Sequence, residues 1–325
     1  MTAALPTFIE SRAIEDIDAM AGATAPCLKA EYVQLEAKRF TGRWTNVQLP
    51  QMVLQKGRED IAIVRRLRAT PETWAFIVPL RVSDAARWDG RRVTADELIV
   101  CAPGGESYAF DPAGTEFAIV SVGGDHPVAA AASRLLEAGE TSCAIRQRAR
   151  DAESMRRTLI SVLECDERAD RTVHVFEQRV GAEKQIAVES RLAGSVRSRR
   201  IREAAGGRRQ IVGRAEAFFR HHMGESVTIS RLSAVVGVSE RSLRNAFCDV
   251  YTTSPKKYLR LWQLHEVRRA LRSASCGGQT VTDVATFHGF FELGRFAGEY
   301  KALFGEPPSQ TLQRARLESA TRPYA

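Results

Sequence analysis

Two short stretches carry side chains whose types and spacing could do recognition chemistry. In GVSERSLRNAF, Gly237–Phe247, stepping about 100° per residue puts Leu243 and Phe247 on one helix face. The opposite face carries Arg241, Asn245 and Cys248, with Arg244 at its edge. Arginine and asparagine present paired hydrogen-bonding groups that match the edges of guanine and adenine. In KRFTGRW, Lys38–Trp44, Arg39 and Arg43 stand four apart beside Lys38 and Trp44. Such a set could clamp phosphate oxygens through bidentate bonds and stack on a flat ring. An Arg-rich chain also yields that spacing on a solvated surface.

The elements that must position the first set are legible. Ile229, Leu232, Val235 and Val236 make a helix face that Gly237 ends, because the tight turn needs a left-handed residue. Ser239 then caps the helix carrying the polar face. A short helix, a glycine turn and a second helix make a helix-turn-helix. The plan recurs about fifty residues on. Thr280 and Asp283 form a capping box, Gly289 turns the chain, and Phe296 and Tyr300 take the inward places of Leu243 and Phe247. The register continues, with Phe304 answering Tyr251 and Pro308 answering Pro255. The outer positions of the second unit are Gly294 and Gly298, so only Arg295 beside them can reach out. Glu292 and Glu299 are expected to face away from a polyanion.

Between the units, Ser254 caps a helix with Pro255 at its first position and an apolar stripe of Tyr258, Leu261, Leu264, Val267 and Leu271. At ~1.5 Å per residue it spans roughly 30 Å. Successive major-groove faces on one side of B-DNA lie ~34 Å apart. Two units on one stiff helix can therefore enter adjacent grooves, where one unit would read a single groove.

Charge points the same way. The net charge of the chain is +8, and residues 208–325 hold all of it, with 18 Lys/Arg against 10 Asp/Glu. A basic module beside a neutral one suits a polyanionic partner.

Upstream, WTNVQLPQMVLQ, IAIVRRLRA, TWAFIVPLRV, ELIVCAPG and FAIVSVG read as short strands broken by Gly, Pro and Asp, with a hairpin signal at Asp89-Gly90. HPVAAAASRLLEAG and AESMRRTLISVLECDERA follow as helices, the second with Met155, Leu159, Val162 and Leu163 on one face. AEKQIAVESRLAGSVRSRRIRE reads as a third helix, and the Arg-rich stretch through Gly206-Gly207 as a linker. The helices either cover their own domain or pair with a copy of themselves. The six cysteines are scattered, with no CxxC pair, which fits a reducing compartment. No secretion signal and no membrane-spanning run is read.

Residues of about 211–315 resemble the DNA-binding domain of the AraC/XylS family of bacterial transcription regulators. The resemblance runs through LSAVVGVSERSLRNAF, SPKKYLRLWQLHEVRRAL and VTDVATFHGFFELGRFAGEYKALFGEPPSQTL. It implies an α+β multidomain chain. Residues 1–140 would be a cupin-like β-barrel sensor, residues 141–207 a helical dimerisation segment and linker, and residues 208–325 an all-α double helix-turn-helix. It implies that Ser239, Arg241, Ser242, Arg244 and Asn245 face DNA, with Gly294, Arg295 and Gly298 in the second unit. Promoter DNA, RNA polymerase, a second copy of the chain and a small-molecule effector are the partners it implies, in the cytoplasm, with no cofactor and no metal.

Arg39 and Arg43 are similar to the arginine motif with which PilZ domains hold cyclic di-GMP, although the second PilZ motif is absent. Cyclic di-GMP bound by Lys38, Arg39, Arg43 and Trp44 is the named effector, with a small apolar or carboxylate molecule as the competitor. A cupin-type enzyme with a DNA-binding appendage and a ligand-independent architectural binder are the alternative functions. The first lacks a His-x-His metal pattern in the strand region.

Overall fold

The structure, a computed structural model, describes residues 7–25, 27–137, 139–164, 171–175, 178–197, 199–201, 206–225, 227–273 and 278–320. The chain divides into two compact units, Met1–Tyr32 with Thr41–Ala204, and Val33–Phe40 with Ala205–Ala325.

The first unit is built on antiparallel strands. In chain order they are β1 (Phe8–Ile14), β2 (Leu28–Gln34), β3 (Gly42–Gln48), β4 (Met52–Glu59), β5 (Ile63–Ala69), β6 (Thr73–Arg81), β7 (Arg87–Trp88), β8 (Arg91–Arg92), β9 (Glu97–Cys101), β10 (Glu106–Asp111), β11 (Glu116–Gly123), β12 (Ser142–Arg146), β13 (Arg171–Val175) and β14 (Arg199–Ile201). Its helices are α1 (Ile17–Thr24), α2 (Pro127–Ser133), α3 (Ala149–Leu163) and α4 (Gln178–Ser195). The strands form a nine-stranded sheet, ordered β13-β1-β3-β4-β11-β6-β9-β12-β14, and a five-stranded sheet, ordered β2-β5-β10-β7-β8. The closed barrel expected from the resemblance does not form. Among the described residues no hydrogen-bonded ladder joins the two sheets, so the unit is an open two-sheet sandwich.

Strand alternation explains which face does what. Ala118, Val120 and Val122 of β11 pack with Met155, Leu159 and Val162 of α3 and Val188 and Leu192 of α4. The apolar faces of α3 and α4 are thus committed to their own sheet, while Ile160 and Ile186 stay 42% and 64% exposed. At β11 Phe117, the Trp88 ring approaches edge-on with centroids 6.1 Å apart and the Arg65 guanidinium lies 5.3 Å from the ring centre. The Asp89-Gly90 hairpin forms as read, with φ of 51° and 83°, both left-handed as such a two-residue turn requires. Part of the expected linker is ordered instead. Arg199–Ile201 pairs with β12, and the first helix of the second unit begins at Gly206; residues 202–205 lie outside the described residues.

The second unit is helical, with α5 (Gly206–His221), α6 (Ile229–Val236), α7 (Glu240–Tyr251), α8 (Pro255–Ser273), α9 (Val281–Phe287), α10 (Leu293–Phe304) and α11 (Pro308–Ala320). The central helix α8 buries more than the predicted stripe. Leu259, Trp262, His265 and Arg268 are buried besides Tyr258, Leu264, Val267 and Leu271. Trp262 meets Phe219 of α5 edge-on at 5.1 Å between centroids, and Arg268 pairs with Glu306 at 3.0 Å. Packing from several sides makes α8 the core of this unit.

Candidate nucleic-acid interface

The first helix-turn-helix is α6, Gly237 and α7. Thr228 caps α6 by accepting from the Arg231 N–H at 3.2 Å. Gly237 adopts φ +72°, and the N–H groups of Gly237 and Val238 close on the carbonyls of Ala234 and Ser233 at 3.1 and 3.0 Å. A left-handed residue there costs glycine no Cβ clash. Ser239 caps α7 by accepting from the Ser242 N–H at 3.1 Å. α7 buries Leu243, Ala246, Phe247, Val250 and Tyr251. That fixes its rotation and turns Ser239, Arg241, Ser242, Arg244 and Asn245 to solvent together. Among the described residues no ion pair engages Arg241 or Arg244. Their donors stand ready for an acceptor from outside the chain.

The second helix-turn-helix is α9, Gly289 and α10. Thr280 and Asp283 make the reciprocal capping box, and Gly289 turns at φ +83°. α10 buries Phe296, Tyr300, Leu303 and Phe304, which leaves Gly294 and Gly298 outward over open space. Arg295 is exposed but engaged: its Nε donates to Glu299 Oε1 at 2.9 Å. Arg260 of α8 donates to the other oxygen of the same carboxylate at 2.7 Å and lies 4.1 Å from the centre of the Phe290 ring. Burial alone would raise the Glu299 carboxyl, but hydrogen bonds and charge from Arg260 and Arg295 outweigh it and hold it below its ordinary value. Glu299 therefore does not simply face away. It anchors Arg295, the one arginine of α10.

Sequence reasoning missed two exposed apolar side chains at the start of α10. Phe291 is 71% exposed and Leu293 37%. For Phe291 the signal was available, since it lies off the inward stripe of Phe296 and Tyr300, whereas Leu293 stands three and seven residues before them, on the same side of the helix.

Of the residues of KRFTGRW, Trp44 is turned inward and does not offer its ring as a stacking surface. Lys38 and Arg39 are exposed in the segment that groups with the second unit, and Arg43 is half-buried on β3 of the first. Trp44 is 2% exposed and covers Gly57, where an added Cβ would come within 2.5 Å of its ring. Arg43 borders a cavity of about 230 Å³ with Lys56, Arg58, Asp60 and Glu116.

Among the described residues no helix is long and apolar enough to cross a membrane, and no group of three His, Cys, Asp or Glu could hold a metal ion.

Comparison with known proteins sets the geometry in context. A helix-turn-helix domain family matches residues 232–314. The XylDLEGF operon transcriptional activator of Pseudomonas putida is 36% identical over 107 residues, which is 33% of this chain and 33% of that protein. The XylDLEGF operon transcriptional activator 2 of the same organism is 33% identical over 105 residues, and the match covers 67% of it. This chain belongs to the AraC/XylS family.

A probable AraC family transcriptional regulator from Rhodopseudomonas palustris, known as a crystal structure, is 36% identical over 33% of this chain and 97% of its own, with a TM-score of 0.30. The matched stretch spans about a third of the length of the first XylDLEGF activator. The AraC/XylS assignment accordingly rests on the second unit, where the doubled helix-turn-helix lies.

Proposed function

We propose that this chain is a sequence-specific DNA-binding regulator of transcription, an activator that docks on promoter DNA through two helix-turn-helix units in adjacent major grooves. The observation that carries this reading is the outer face of α7. Arg241, Arg244 and Asn245 stand exposed there, in the part of the chain that holds all its excess positive charge. The names of the matched relatives support activation as the sign of control. RNA polymerase is the partner that an activator engages. Ile160 and Ile186 offer apolar positions through which a second copy could pair.

The first unit is the sensor in this reading. A cavity of about 640 Å³ opens among Gln48, Gln51, Met52, Val53, Ser121 and His126. That volume suits a small effector with both polar and apolar parts. Cyclic di-GMP at the arginine motif is the competing effector, without a stacking ring from Trp44, which is buried. Titrating cyclic di-GMP onto the wild type and an Arg39→Ala/Arg43→Ala variant decides between the two. Saturable binding lost in the variant favours the dinucleotide, and indifference in both leaves the cavity.

The central test is selection of preferred duplexes from a random pool by the full chain. One split site should emerge. Arg241→Ala should weaken binding to it by ~1–3 kcal/mol and relax one base preference. Equal weakening on every sequence would make Arg241 a phosphate contact, and a pool with no selected site would end the reading.

A further inference from the structure

The two base-facing helices are built for different chemistry. Aligned on the inward pairs Leu243/Phe296 and Phe247/Tyr300, Arg241 of α7 corresponds to Gly294 of α10, Asn245 to Gly298, and Glu240 to Leu293. Where the first unit offers a guanidinium fork and a carboxamide, the second offers bare backbone. Its arginine, Arg295, is held by Glu299, which Arg260 fixes from α8, and lies 4.0 Å from the exposed Glu292. On either side of the exposed N-cap Glu292, the start of α10 presents two exposed apolar side chains, Phe291 just before the helix and Leu293 at its first position. Burying such side chains against water is favourable, so a tip that exposes them marks a contact surface. An added Cβ at Gly294 or Gly298 would meet nothing within 4 Å, so the helix surface there is flat enough for an outside body to approach closely.

The 5-methyl group of thymine is the apolar feature that a base pair shows in the major groove, and apolar side chains contact it. The N-terminal residues of a recognition helix are the ones that reach base edges. We infer that the second helix-turn-helix reads thymine methyl groups through Phe291 and Leu293, with Gly294 and Gly298 letting the helix seat deeply. The inference rests on the DNA-binding reading above. The occupant is duplex DNA because the surrounding module is strongly basic, and Lys301 lies exposed about one turn beyond Gly298 for a phosphate. The first unit then selects by hydrogen bonds and the second by shape and methyl contact.

The test uses the full chain and the duplex that it selects from a random pool, at fixed salt. Arg241→Ala identifies the half-site of the first unit. In the other half, each thymine is replaced in turn by deoxyuridine, which removes only the methyl group. Loss of one buried methyl should weaken wild-type binding about fourfold. Phe291→Ala and Leu293→Ala should bind more weakly than the wild type and be indifferent to the replacement at one thymine each. Both side chains are exposed, so the folded helix content should be unchanged by circular dichroism. Selected DNA that binds equally with and without the methyl groups overturns the inference alone, as does a methyl effect that survives in both variants. A chain that selects no DNA overturns both this inference and the reading beneath it.

Discussion

Tyr251 and Tyr258 stack with ring centroids 4.6 Å apart and 23° between their planes. Both donate their hydroxyls to the same carboxylate oxygen of Glu216. The stack joins the last turn of α7 to the first turn of α8, and Glu216 brings in α5. α7 is thereby tied to the long central helix through buried, charge-assisted hydrogen bonds.

Glu216→Ala should destabilise the second unit by about 2 kcal/mol, because two buried hydroxyls lose their acceptor. Glu216→Gln keeps an acceptor oxygen and should cost less. Urea unfolding followed by circular dichroism compares them, and equal losses would assign the effect to charge rather than to hydrogen bonding.

Gly57→Ala should cost the first unit about 1–3 kcal/mol, as overpacking does. The added Cβ would sit 2.5 Å and 2.9 Å from atoms of the Trp44 ring, which is 2% exposed. A thermal unfolding transition that does not move would show that the ring shifts at no cost.

Acid should act on the two units in opposite directions. Glu59 lies buried near Arg65, Asp111, Asp60 and Tyr32, with Arg65 Nη1 at 3.7 Å. Burial raises its carboxyl to about 7, against the pull of Arg65 and with help from Asp111. A carboxyl raised in the folded state contributes stability that is full below its unfolded value and is lost as pH rises through about 7. His265 runs the other way. Burial first, then Arg269 and Arg268, hold it well below its ordinary 6.5. Its contribution is present above 6.5 and is lost as pH falls toward the lower folded value. Between pH 7.5 and 5 the first unit should gain from Glu59 and the second lose from His265. Glu59→Gln should flatten the first slope and His265→Asn the second. Slopes that persist in these variants would place the titration elsewhere.

Glu299→Ala should free Arg295 and remove a negative charge from the second unit's outer side. DNA affinity should rise several-fold at low salt, and the salt dependence should steepen by about one phosphate contact. Filter binding across a salt series measures both, and an unchanged slope would mean that Arg295 lies out of reach even when released.

Much of the second unit was legible because each local signal had one meaning. Gly237 and Gly289 could only be turns, Ser239 and the Thr280/Asp283 pair could only be caps, and the inward stripe set the outward face. The first unit was legible at the level of strands, not of their assembly. Residues 8–14 and 142–146 form strands that were passed over, since FIESRAI and SCAIR are short and mixed in polarity. Their pairing partners, β3 and β9, lie far along the chain, and pairing at that separation leaves no local mark. Trp44 shows the same limit within a site. A tryptophan beside arginines looks like a stacking surface until strand alternation turns it to the interior over Gly57. The hold of Glu299 on Arg295 was hidden differently. Their spacing fits a helical ion pair, but the second arginine that fixes Glu299 comes from α8.

The burial of α8 on most of its sides leaves it little freedom to bend. A helix of 19 residues, roughly 28 Å long, separates the two helix-turn-helix units. If both units dock on DNA as proposed, the chain measures its target as well as reading it. About five extra base pairs between the two halves would carry one half to the far side of the duplex, where the helix could not follow. The interval between two half-sites is then as much a part of the recognised message as the letters within them.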